Sequence, residues 1–140
     1  MKKTLRTVIC LILVIAALSM PMALAAMESN QYIDSFSAAT SAKGNGKIRV
    51  DFGVYGTGMM DDLGATTISI YKNGYLVKAF SSNNILYSAS MMGHNTWVFY
   101  GGVDYQGVAG NTYYAEVTFY GADGSGSDIE IYQTASVVAT

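Results

Sequence analysis

The chain of 140 residues holds one cysteine, one proline and one histidine, and only 13% of it is charged. Cys10 and Pro21 both stand in the first 25 residues, so from Ala26 onward no disulfide, thiolate metal site or cysteine nucleophile can form. A single imidazole without thiolates cannot build an ordinary zinc site. Basic residues are also scarce. Three of the eight (Lys2, Lys3 and Arg6) open the chain, leaving five against ten acidic residues after Ala25, a net charge of −5. A surface of that sign repels phosphate, which makes nucleic acid and anionic membranes poor partners and predicts no nucleic-acid binding. Long apolar runs are missing too. The one from Thr7 to Leu18 is about a dozen residues, short of the roughly 20 that a spanning helix needs.

The order of Lys2, Lys3 and Arg6, the apolar run and the small-residue triplet Ala23-Leu24-Ala25 reads as a secretory signal peptide cut after Ala25. Residues 1–25 are then the leader and residues 26–140 a single domain, long enough to bury a core without staples. Cys10 lies too near the start of the apolar run for lipidation, and Ala135 to Thr140 carries no anchoring motif. The expected location is secreted and extracellular, with no membrane anchor after cleavage. A domain without cysteine also suits a reducing exterior.

Tyr, Val, Ile, Phe and Thr dominate that domain, and glycines punctuate it, which predicts strands and turns. Ile48, Val50, Phe52 and Val54 alternate with Arg49, Asp51, Gly53 and Tyr55, the period of a half-buried strand. Thr66–Lys72 and Tyr75–Phe80 flank Asn73-Gly74, a type I′ hairpin signal. A regular register puts Ile68, Ile70, Val77 and Ala79 on one face and Tyr71, Leu76, Lys78 and Phe80 on the other. Further strands are predicted around Tyr32–Thr40, at Thr96–Tyr105 with a bulge or close backbone approach at Gly101-Gly102, at Tyr113–Tyr120, and at Asp128–Val138 after a loop from Gly121 to Ser127. A helical turn is expected near Met59–Leu63, where Thr57 and Asp61 are cap-type residues. The fold class is all-β, an antiparallel two-sheet β-sandwich of about seven strands.

Gly110-Asn111-Thr112-Tyr113-Tyr114-Ala115-Glu116-Val117-Thr118 resembles the penultimate strand of immunoglobulin-like and fibronectin type III-like sandwiches. The resemblance implies that Tyr113 is a corner tyrosine whose hydroxyl is tied to upstream backbone, with Ala115 facing inward. No tryptophan sits on the expected early strand, and Trp97 falls late. Over a longer span, carried by Ser41 to Gly46, Gly56 to Ala65 and Tyr113 to Asp128, the chain is similar to a group of small secreted proteins of Gram-positive anaerobes. That similarity brings a fold and no catalytic residues.

No catalytic set converges. His94 is the lone imidazole, and no serine sits in a strained Gly-x-Ser-x-Gly turn. Asp61 and Asp62 are adjacent, so on an extended segment they point to opposite sides and cannot flank one bond. Asp123-Gly124-Ser125-Gly126-Ser127-Asp128 alternates oxygen side chains like the opening of a calcium loop, but lacks the glycine and bidentate glutamate of an EF-hand. Asp123 and Asp128 would be the ligands if calcium bound. The unexplained feature is aromatic excess: all seventeen aromatics follow Ala25, and eleven are tyrosines. Tyrosine pairs an apolar ring with a polar tip, which suits half-wet binding faces. Two outward clusters are expected, one of Tyr114, Thr118, Tyr120 and Tyr132, the other of Tyr71, Leu76 and Phe80. Trp97 and Phe99 read as core anchors, with the indole as a sugar platform the lesser reading.

These features predict a non-catalytic extracellular binding module for a glycan or protein surface, with no cofactor. The alternative is a self-associating cell-exterior structural protein, suggested by strands without proline and with little lysine. A small secreted antagonist of the bacteriocin kind ranks last, because membrane-directed killers are cationic.

Overall fold

The computed structural model describes residues 30–140, and the expected leader lies outside them. Seven antiparallel strands form one continuous sheet, curled into a half-barrel. They are β1 (Ile33–Gly44), β2 (Lys47–Lys72), β3 (Tyr75–Ser81), β4 (Met92–Gln106), β5 (Thr112–Asp123), β6 (Gly126–Gln133) and β7 (Val137–Val138), with one helical turn, α1 (Ser88–Met91), before β4.

The spine is β2. Its first half carries β1 on one edge and β4 on the other, since Ile48 pairs with both Ala42 and Tyr105. Its second half carries β5 and β3 in the same way, since Thr67 pairs with both Thr118 and Ser81. The ladder to β4 is irregular between Tyr55 and Met60. The expected helical turn at Met59–Leu63 is therefore strand. Asp62 is laddered to His94 on one side and Ala122 on the other, so the backbone groups a helix would satisfy internally are already paired across strands. Two expected strands and the turn between them are one strand, and the two expected hydrogen-bonded sheets are one sheet.

Curling brings the two halves face to face. Phe119 of β5 packs on Phe36 of β1 (ring centroids 4.8 Å) and on Phe52 of β2 (5.8 Å). Ile48, Val50, Val54, Ile68, Ile70, Ala115 and Val117 are fully buried around them, which is where the alternation of β2 and β5 places their apolar side chains, and Leu63 joins them from the irregular middle of β2. Tyr113 is buried, and its hydroxyl accepts a 2.9 Å hydrogen bond from the Val108 N–H, the upstream backbone tie that the resemblance implies. Gly101-Gly102 makes a close approach rather than a bulge: a Cβ on Gly101 would stand 2.2 Å from the Ser90 carbonyl oxygen.

The β2–β3 hairpin turns at Asn73 (φ 48°) and Gly74 (φ 88°), the pair of positive angles that a type I′ turn requires. Lys72 faces Tyr75 and Tyr71 faces Leu76, but an irregularity then shifts the ladder, and Ile70 faces Lys78. That extra residue in β3 moves every later side chain to the opposite face from a regular register. Phe80, expected outside, comes opposite Ile68 and is only 3% exposed.

Candidate binding face

The expected tyrosine faces are only partly assembled. On β5, burial alternates without a break: Tyr113, Ala115, Val117 and Phe119 point inward, and Tyr114, Glu116, Thr118 and Tyr120 lie half-buried on the outer side. Tyr71 of β2 joins them, its ring stacked on Tyr114 at 4.9 Å with 5° between the planes. Stacked rings cover each other's faces, which leaves little platform for a ligand. Tyr132 does not join this face. It pairs with Val117, so it projects on the inner side, where its ring meets Phe36 edge-on at 6.1 Å. Ile129 and Ile131, opposite Tyr120 and Thr118, take the outer positions instead and are more than 60% exposed. Phe80 is withdrawn from the second cluster, packed edge-on against Tyr87 at 4.9 Å.

The calcium reading also finds its carboxylates engaged. Asp128 accepts hydrogen bonds from the backbone N–H groups of Tyr32 (2.7 Å) and Ile33 (3.2 Å), which fastens the start of β1 to β6. Asp123 accepts from the Ser125 N–H and closes the β5–β6 turn. Among the described residues no group of three or more His, Cys, Asp or Glu side chains could hold a metal ion.

His94 and Asp62, opposite each other on β4 and β2, are joined by a 2.6 Å hydrogen bond. They border a hollow of about 230 Å³ shared with Thr66, Ser82, Asn83, Ser88, Met92 and Tyr120. The Ser88 hydroxyl donates to the Ile85 carbonyl and the His94–Asp62 pair stands largely in solvent, so the geometry shows a hydrogen-bond partner for His94 and a serine hydroxyl turned to backbone.

Tyr75 at the β2–β3 hairpin is the most exposed ring (78%), but it stands apart; a cluster of rings with two exposed members stands on the first half of the sheet. Trp97, expected in the core, is 57% exposed, while Phe99 takes the core position beside Phe52. Trp97 lies in the gap of the β2–β4 ladder, between the Val98–Tyr55 and Thr96–Met60 pairs, and its exposed indole stands near Tyr55 (6.4 Å between centroids). Tyr100 is 64% exposed and perpendicular to Tyr55 at 5.9 Å, with their hydroxyls hydrogen-bonded to each other. That bond, and then desolvation, raise the Tyr100 hydroxyl above the ordinary phenol range.

Beside the rings the sheet is built of small residues. Ser37 and Tyr100 flank Gly53 on its two sides, and a Cβ on Gly53 would stand 2.8 Å from the Tyr100 ring, so only glycine lets that ring lie down on the sheet. The result is an open cleft of about 290 Å³ lined by Ser37, Ala38, Ala39, Asp51, Phe52, Gly53 and Tyr100. Arg49 donates to Asp51 of this lining (2.7 Å) and to Asp104 (3.3 Å), and these bonds hold its guanidinium charged. Each carboxylate can accept more than one hydrogen bond, so Asp51 retains capacity toward a ligand.

Sequence reasoning missed Tyr55 and Tyr100. The signal for Tyr55 was its place in the polar series Arg49, Asp51, Gly53, Tyr55. Tyr100 had no comparable mark. No family model and no curated protein matches the chain.

Proposed function

We propose that this chain is a secreted, non-catalytic extracellular binding module that takes a neutral glycan on the Tyr55–Trp97–Tyr100 face. The observation that carries the reading is the cluster of three outward rings beside a shallow floor of small residues. The C–H faces of a sugar ring pack on aromatic rings, and its hydroxyls seek acceptors and donors such as Asp51, Ser37 and Arg49. An open cleft suits a chain passing through better than a small molecule, which is usually enclosed. The leader supports export, and the net charge of −5 favours an uncharged ligand over an anionic one. We also read the curled sheet as working like a β-sandwich, its halves held by the Phe36–Phe119–Phe52 contact.

Affinity electrophoresis against soluble β-glucans, mannans and mucin tests the reading. At least one should retard the protein. Trp97→Ala and Tyr100→Ala should each weaken that retardation about tenfold, equivalent to about 1.4 kcal/mol, with little change in Tm. Retardation by none of the probes, or retardation that both variants leave intact, removes this face as the site.

A further inference from the structure

The second half of β2 belongs to a four-stranded layer in the order β6, β5, β2, β3. Its two outer strands are open. Five of the seven residues of β3 are exposed, as are six of the eight of β6, and among the described residues each strand is laddered on one side only. Unpaired strand edges are templates for another strand, and chains that avoid pairing protect them with proline, lysine or a covering segment. β6 has neither proline nor lysine. The alternation of direction through three antiparallel pairs makes β3 and β6 run opposite ways.

We propose that β3 of one copy pairs with β6 of the next, so that the chain assembles head to tail into an open-ended filament with a continuous sheet. Because the two edges run in opposite directions, a copy displaced sideways without being turned over presents them as an antiparallel pair. Such a contact is heterologous and does not close on itself. The side chains agree on one register. Lys78 lies 5.4 Å over the Phe80 ring at the inner rim of β3, and Glu130, opposite the buried Phe119, stands at the inner rim of β6. Placing Lys78 against Glu130 of the next copy makes an opposite-charge cross-strand pair. The same register sets Val77 against Ile131 and Ala79 against Ile129 on the outer side, where the two isoleucines are otherwise bare. A two-fold contact of β6 with itself would bring Asp128 and Glu130 toward their own copies, and one of β3 with itself would gather lysines. Charge therefore selects the mixed pair. The inference is independent of the glycan reading.

Residues 30–140 contain the seven strands and the core described above, so the experiment uses this unit, its folding checked by circular dichroism. Sedimentation velocity at rising concentration should show species growing past the dimer without limit. Lys78→Glu and Glu130→Lys, both at strand rims, should each lower the association constant about tenfold. An equimolar mixture of the two variants should restore growth, because each then meets its complement on both edges. As a measurement that alters no residue of the protein, an excess of the β6 peptide (residues 126–133) should occupy β3 and shorten the assemblies. A persistent monomer, a discrete dimer, growth that neither variant weakens, or a mixture that fails to recover would each overturn the proposal.

Discussion

The Tyr55–Tyr100 hydroxyl pair has a spectroscopic consequence that depends on no ligand. The pair favours the neutral phenol of Tyr100, so that hydroxyl titrates later than its ordinary value of 10.0. By linkage, its contribution to the fold is complete below the ordinary phenol pKa and is lost as pH rises through the raised one. An alkaline titration followed by phenolate absorbance should show a late component that Tyr55→Phe moves toward the ordinary range. An unchanged titration in that variant means the pair does not form in solution. At this scale the sequence was legible where parity ran unbroken, as for Tyr114, Thr118 and Tyr120 on β5. It misled at Phe80, because one extra residue in β3 inverts the faces beyond it, and at Trp97, which falls in the unpaired gap of the β2–β4 ladder between Thr96 and Val98. Such an inversion leaves no mark in residue type, since Phe and Trp suit either side of a sheet.

Among the elements, the hairpin was readable to the residue at its turn and not along its arms. Asn73-Gly74 names a type I′ turn because positive φ at both positions is costly for most side chains. Gly74 has no atom within 4 Å of where its Cβ would stand, so replacing it isolates the backbone effect. Gly74→Ala should lower stability by about 1 kcal/mol in urea denaturation. Gly124 is equally open but carries no positive φ, and Gly124→Ala should change stability by less than about 0.5 kcal/mol. Equal losses at both sites would mean that the turn's dihedral angles are not what the substitution tests. The long strand β2 was not readable as one element. From Gly56 to Asp62 its letters are glycine, threonine, methionine and aspartate, a composition without period-2 alternation, and only the ladders to its neighbours make it strand.

For the whole molecule, that long strand decides how the fold comes apart. Two separate sheets held by side chains alone could loosen one at a time, whereas a spine shared by both halves couples them through backbone hydrogen bonds as well as through the core. Trp97, the one indole, reports the half built on β1 and β4, while far-UV circular dichroism reports all seven strands. Urea curves from the two signals should coincide, as a two-state transition requires. Phe119→Ala sharpens the test, because Phe119 sits on β5 in one half and touches Phe36 and Phe52 in the other. Its loss should cost about 3–5 kcal/mol and move both curves by the same amount with an unchanged slope. Trp97→Ala, by contrast, removes an exposed ring and should move the circular dichroism curve by less than about 1 kcal/mol. If Phe119→Ala instead shifts the dichroism curve while the Trp97 signal keeps its midpoint, the halves unfold independently, and β2 does not act as a single structural unit.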